Sequence, residues 1–438
     1  MKKLLPLFIS AALGSLSSSV WADTLAEIYN QAKENDPQLL SSAAQRDAAF
    51  EAVTSSRGDL LPQIDLAAGY NINRSNIDER ESDKLTAGIT FTQQLYQRSS
   101  WISLDTAEKN ARKADSAYAA TQQGLILRVA QAYFEVLRAK DNLAFVRAEK
   151  VAVARQLEQT KQRFEVGLSA ITDVHDAQAQ YDRVLADEVL AKNSLTNSYE
   201  TLREITGQEH SDLSVLDTNR FSASKTTQPI DVLLEEAQQK NLSLLTARIT
   251  QDVAKDNISL ASSGHLPSLT LDGGYKYGDE SNNNGGSKVD YNDFNVGINL
   301  KVPLYTGGNT TSQTKQAEFA YVAASQDLEK TYRSVVKDVR AFNNNINASI
   351  GALRAYEQSV ISAKSALEAT EAGFDVGTRT IVDVLDSTRL LFEANKSLSN
   401  ARYDYVLNVL QLRQAVGTLS EQDILDINAG LKADRLKK

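Results

Sequence analysis

The 438-residue chain has no cysteine, one methionine, six prolines and three histidines. With no cysteine there are no disulfides and no thiolate metal site, so an exported form must be held by packing, by barrel closure or by oligomerisation. His175, His210 and His265 lie far apart and form no metal-binding spacing. No cofactor is expected. Cations are also in deficit: 47 Lys and Arg stand against 56 Asp and Glu, a formal charge of −9. Nucleic-acid binding needs clustered Lys and Arg, so no nucleic-acid partner is expected. Beyond residue 22 no apolar run reaches the roughly 18 residues of a membrane helix. If the chain enters a membrane, strands must carry it.

The first 22 residues, MKKLLPLFISAALGSLSSSVWA, join two lysines to an apolar run from Leu4 to Leu13 and then to small residues ending at Ala22. This pattern predicts a secretory signal peptide over 1–22, with an apolar run too short for a spanning anchor. Its removal takes away Lys2 and Lys3 and no acid, moving the charge from −9 to −11.

The rest is two copies of one unit. LLPQIDLAAGY (60–70) matches HLPSLTLDGGY (265–275), and AGITFTQQLY (87–96) matches VGINLKVPLY (296–305). REITG (203–207) matches RQAVG (413–417), and VGLSAITDVHD (166–176) matches VGTRTIVDVLD (376–386). The second copy gains four residues within 279–293, rich in Asn and Gly, which reads as an exposed loop tip. The predicted organisation is a first repeat over 23–206 with a β-hairpin at 60–96, and a linker over 207–229. A second repeat over 230–417 has a hairpin at 265–305, and a polar tail covers 418–438.

The hairpins alternate strictly, as half-exposed strands do. Ile64, Leu66, Ala68, Tyr70 and Ile72 share one face, with Asp65, Gly69 and Asn71 on the other. Phe294, Val296, Ile298 and Leu300 alternate with Asn295 and Asn299 in the same way. Soluble antiparallel sheets give this pattern too. The helical stretches favour the membrane reading. Leu125, Val129, Ala132, Val136, Ala139, Leu143 and Val146 follow a 3.5-residue repeat, with Ile126, Ala130, Tyr133 and Leu137 beside it. Two adjacent seams place a helix between neighbours on both sides, as in a ring of helices. From about Ser100 to Glu165 no proline interrupts the pattern, so the rod is on the order of 100 Å long. Four strands cannot close a barrel, and an open edge in lipid leaves backbone groups unpaired at several kcal/mol each. Two chains would supply 8 strands and a filled interior, whereas three would supply 12 and a water-filled lumen that suits the polar alternate positions.

The signal peptide, the paired hairpins, LPQIDL, VG-x-x-x-I-x-DV in both halves and VGTRTIVDVLD resemble the TolC family of Gram-negative outer-membrane efflux and secretion ducts, the outer membrane factors. The resemblance covers essentially all of 23–438. It implies a mixed α and β fold: a homotrimeric 12-stranded outer-membrane β-barrel, four strands per chain, continued by a long periplasmic α-helical coiled-coil barrel. It implies an exit duct for tripartite multidrug efflux and type I protein secretion, not an enzyme. The implied partners are a periplasmic adaptor, an inner-membrane transporter reached through it, and outer-membrane lipid. The implied cargo is drugs, bile salts or secreted proteins. The linker 207–229 resembles part of the family's equatorial domain.

The resemblance also implies a closed periplasmic gate in which Arg379 bonds Thr172 and Asp173, with Gln156 nearby. Phe374 stands where the family has a tyrosine, and a phenyl ring offers no hydroxyl bond, so one link is expected to be lost. The bland reading of Arg379 and Asp173 is unrelated surface charge, worth about 0–1 kcal/mol if paired. Asp383 and Asp386, three residues apart, share one helix face. Such a pair is by default a solvated face, and no His or Cys beside it supports catalysis or a structural metal. The resemblance makes it two stacked carboxylate rings at the lumen constriction, binding cations and raising one another's pKa. Gly167 and Gly377 read as helix caps, and by resemblance as the floor of an adaptor groove. A soluble periplasmic coiled-coil scaffold or chaperone is the alternative from a different class.

Overall fold

The computed structural model describes residues 23–74, 82–282 and 288–432. The expected signal peptide lies outside them. Helices α1 (Leu25–Asn35) and α2 (Pro37–Gly58) lead to strands β1 (Gln63–Asn73) and β2 (Ser82–Gln97), followed by α3 (Arg98–Glu165) and α4 (Ile171–Thr206). After β3 (Val215–Leu216) the order recurs as α5 (Ile230–Lys240), α6 (Leu242–Ser262), β4 (Ser268–Asn282), β5 (Val289–Lys301), α7 (Asn309–Asp375) and α8 (Ile381–Val416). The chain then adds α9 (Glu421–Asn428) and β6 (Leu431–Lys432).

The two hairpins join into one antiparallel sheet of order β1-β2-β4-β5. Its register sets Leu66, Ile89, Tyr275 and Phe294 side by side, and Asp65, Thr90, Gly274 and Asn295 in the adjacent row. One face is therefore apolar across all four strands, and the other is polar. The apolar face is bare, with Leu66 and Phe294 each 77% exposed. The strands run farther than the sequence suggested. Asp279 and Glu280 pair with Asp290 and Val289, so most of the expected 279–293 loop is ladder. Backbone pairing outweighs side-chain polarity there, because the hairpin register continues unbroken. Among the described residues, β1 and β5 have no outer partner.

Helices α3 and α7 are 68 and 67 residues long, each about 100 Å at 1.5 Å per residue. On the sheet side of the mid-height belt the helices lie in the order α2, α3, α6, α7, and on the far side α4, α3, α8, α7. Helix α3 thus has neighbours on both sides throughout, and both of its predicted seams are buried from Leu125 to Leu143. Helix α7 lies at the flank. It buries six residues against eighteen on α3, and leaves Phe319 75% exposed. The 3.5-residue repeat that its sequence carries at Ile346, Ser349, Leu353, Tyr356, Val360, Ala363, Leu367, Thr370 and Phe374 is buried only at Ile346 and Leu353 in one chain. One flank is β1, α2 and α4, and the other is β5 and α7.

A belt crosses the rods at mid-height. Tyr133, Phe134 and Leu137 of α3 are buried there with Leu25 and Ile28 of α1, Leu213, Leu419 and Ile424. Each such side chain contributes about 1.5–3 kcal/mol. Asp36 caps α2 by accepting from Leu39 N and binds Arg128 of α3 at 2.7 and 3.0 Å. Asn241 is its counterpart in the second repeat, accepting from Leu244 N and donating to Ala415 O. The chain end differs from expectation. β3 pairs with β6, and α9 packs on α1, so 418–432 is folded belt and not a tail. Leu419 and Ile424 bury enough apolar surface to hold an otherwise polar segment.

The bare face makes a direct prediction. Ile298→Lys, on that face of β5, is expected to cost about 2–4 kcal/mol at membrane midplane and to deplete the assembled protein. Asn299→Ser, on the polar face where Asn299 donates to Asp272 at 2.6 Å, is expected to leave assembly near parental. Heat-sensitive oligomer on gels of outer-membrane fractions reads both.

Candidate functional site at the helical tip

The far ends of the rods are two hairpin turns of one geometry. At the end of α3, Leu168 N donates to Arg163 O and Gly167 N to Phe164 O, with Gly167 at φ +76°. At the end of α7, Thr378 N donates to Gly373 O and Gly377 N to Phe374 O, with Gly377 at φ +78°. A β-carbon would meet nothing within 4 Å at either glycine. Backbone handedness therefore demands glycine here, at about 1–2 kcal/mol for any other residue. As caps both are explained within one chain, and both turns are exposed.

Both following helices begin with an N3 aspartate that reaches back to the N-cap amide; Thr380 completes a capping box at α8, whereas Ala170, with no side-chain oxygen, cannot at α4. Asp173 accepts from Ala170 N and Ser169 Oγ, and Asp383 from Thr380 N and Thr380 Oγ1. Each carboxylate satisfies donors that a helix start leaves open. The Thr380 amide and hydroxyl, with Arg379 close by, hold the Asp383 carboxyl below the usual carboxylate range. That is opposite in direction to the rise expected from ring repulsion alone. Asp386 is exposed and pairs with Arg389 at 3.5 Å.

The residues expected to form the gate do not meet as one cluster in a single chain. Arg379 is exposed, its stem lying over Gly373, where a β-carbon would meet Arg379 Cγ at 2.7 Å. Among the described residues its guanidinium has no ion-pair partner within the chain, and Thr172 is exposed at the start of α4. Asp173 is engaged with its own cap. Gln156 is buried, and its Nε2 donates to Thr388 Oγ1 of α8 at 3.0 Å, tying the first hairpin to the second. Phe374 makes a contact of another kind. The Arg163 guanidinium lies 4.5 Å from its ring centroid, and Arg163 also reaches Asp375 at 3.6 Å. A phenyl face attracts a guanidinium as well as a phenol face does, which a hydrogen-bond inventory overlooks. Thr388, Arg163 and Asp375 were missed by the sequence reading. The signal that could have found Arg163 is the position of Phe374 at the end of α7, opposite the one cation in the last turn of α3.

A sheet with one bare apolar face and two open edges, continued by coiled-coil rods to a closed-turn tip, defines one protomer of an outer-membrane channel with a helical extension. The outer membrane efflux protein family matches residues 28–208 and 233–418, one stretch in each repeat, and the chain belongs to that family. It is 82% identical over 434 residues to the outer membrane protein TolC of Vibrio cholerae serotype O1, covering 99% of each chain. To TolC of Escherichia coli K12 it is 47% identical, covering 98% of this chain and 90% of that one. It also resembles the alkaline protease secretion protein AprF of Pseudomonas aeruginosa at 29% identity, covering 97% and 90%. Among solved structures, the Campylobacter jejuni CmeC outer membrane channel superposes with a TM-score of 0.77 at 16% identity, over 99% of this chain and 98% of that one. The fold is that of the family's trimeric channels, and the protein is an outer-membrane exit duct reaching into the periplasm. Its relatives are channel proteins.

The Asp383 cap carries a pH dependence. With its pKa lowered by folding, its contribution is present above the ordinary carboxylate value of about 3.9 and is lost as pH falls through the lowered folded value. Hydrogen exchange, corrected for intrinsic rates, is expected to show protection of 380–384 collapsing in acid. Asp383→Ala is expected to show low protection there at every pH.

Proposed function

We propose that three chains close head to tail, the β5/α7 flank of one against the β1/α2/α4 flank of the next, into a duct gated at its tip. The observation that carries this is the agreement of the two flanks. Sheet and helix layers run out at the same two sides, so one rotation completes both. Three copies of four strands give 12, the number at which a polar inner face encloses water. A water-soluble scaffold would leave the apolar face from Ile64 to Leu300 bare, and the exposure of that face weighs against it.

The gate is a contact between chains. Arg379, exposed and without an ion-pair partner among the described residues of its own chain, is placed to bond Thr172 and Asp173 of the neighbouring copy. Asp173 accepts two local bonds and retains lone pairs for a guanidinium. Asp383 and Asp386 of three chains then ring the mouth with six carboxylates. Gly167 and Gly377, bare at the turns, floor the grooves for the hairpin tips of a periplasmic adaptor, which joins the duct to an inner-membrane transporter. Relatives whose names specify protease secretion support protein cargo, and the cobalt-zinc-cadmium resistance protein CzcC supports efflux.

Two measurements test the gate and the rings. Arg379→Ser is expected to leave the trimer intact, raise its conductance in planar bilayers and admit large antibiotics. Unchanged conductance would place the closure elsewhere. Asp383→Asn with Asp386→Asn keeps shape and removes six charges from a confined mouth. Cation preference and block by multivalent cations are both expected to fall sharply while trimer yield holds. Persistence of both would return the aspartates to a solvated face.

A further inference from the structure

A cluster at the tip joins Phe374, one of the expected gate residues, and its neighbour Asp375 to two residues of α3 outside that set. Arg163, in the last turn of α3, stacks on Phe374 at 4.5 Å and reaches Asp375 Oδ1 at 3.6 Å. Gln159, one turn earlier, donates to the same Oδ1 at 3.5 Å. Phe374 and Asp375 are the last two residues of α7. The end of the first repeat's long rod is thus bound to the end of the second's, within one chain. Phe374 also packs on the buried cluster of Val153, Leu157, Val184, Ile381 and Leu385, so the ring that carries the guanidinium is itself held by the core.

We propose that Arg163 is a positioning residue of the gate: a clamp within each chain that holds the second hairpin against the first, so that Arg379, four residues beyond Asp375, faces the neighbouring chain. The proposal rests on the gate reading above. Its physical content is a division of labour by solvent exposure. The Arg163 side chain is only 24% exposed, and a partly desolvated cation over a ring is screened little by salt. A contact through the exposed Arg379 is screened at a Debye length of about 3 Å in 1 M salt. Opening the tip by swinging the second hairpin away requires the ring to leave the guanidinium, whatever happens between chains. The clamp therefore outlasts the inter-chain contact as ionic strength rises. Lysine cannot replace Arg163, since its compact ammonium lacks the planar face that stacks on the ring.

The test is conductance of purified trimers in planar bilayers at 0.1 and 1 M KCl. Arg163→Gln and Phe374→Leu are each expected to raise conductance several-fold at both salt concentrations, whereas the effect of Arg379→Ser is expected to shrink at 1 M. Phe374→Trp, which keeps a ring face, is expected to stay closed, and Arg163→Lys to open. The double variant Arg163→Gln with Phe374→Leu is expected to open no further than either single one, as a shared contact demands. Thermal stability of the trimer is measured alongside. If Arg163→Gln impairs assembly, Phe374→Leu and Phe374→Trp, both apolar replacements, carry the comparison. Closed channels in Arg163→Gln and Phe374→Leu alongside an open Arg379→Ser would overturn the clamp and leave the gate reading standing. Closed channels in all three would overturn both. Additive opening in the double variant would show that Arg163 and Phe374 act separately, which also overturns the clamp.

Discussion

A strand edge cannot be left open in hydrocarbon. Unpaired backbone N–H and C=O groups have no water to turn to, and each costs several kcal/mol there. The four-stranded sheet ends at β1 and β5, and its apolar face has nothing over it. Association with further copies follows from these two facts, and with it the duct. The long rods obey the same requirement by softer means. Helix α7 leaves Phe319, Val322 and Ile361 bare, and in the proposed trimer a neighbouring chain would cover them.

Repetition explains how one chain builds two flanks that fit. Each repeat supplies a hairpin and a rod pair, and the differences between repeats fall where the copies must play different parts. The N-cap of α2 is Asp36, which takes Arg128, while its counterpart Asn241 has a backbone carbonyl to satisfy and uses an amide for it. Asp173 and Asp383 cap α4 and α8 alike, but only the second is preceded by an arginine. Such a pair of turns, equal in backbone and unequal in charge, can meet across a chain boundary as cation and acceptor.

The tip combines rigid and separable contacts. Its turns are pinned by left-handed glycines and by the Asp173 and Asp383 carboxylates at the helix starts, which involve only local chain and survive any movement of the hairpins as bodies. The ties between hairpins, Gln156 to Thr388, Arg163 and Gln159 to the end of α7, and one apolar cluster, are partly polar and join separate pieces of chain. A buried amide whose Oε1 has no partner is a weak point in an apolar seam, and Gln156 has such an oxygen among the described residues. A structure with strong local turns and partly polar ties between them is suited to moving hairpins whole.

Periodicity and repetition determined much of this protein from its sequence. The period-2 alternation set which strand residues share a face, because side-chain direction in a strand depends on nothing beyond neighbouring residues. The doubled seam on α3 set its place between neighbours for the same local reason. Membership of the family was legible in the motifs shared by both halves. The interactions of Arg163 and the folding of 418–432 were not, since each depends on residues distant in sequence. Arg163 meets Phe374 some two hundred residues away, and β6 finds its partner in β3 of the linker. A lone cation and a polar segment carry no periodic signal of such contacts. Tertiary packing alone decided that Phe374 receives a guanidinium, where only the loss of a hydroxyl link was expected, because only the approach of two rod ends brings an arginine over the ring.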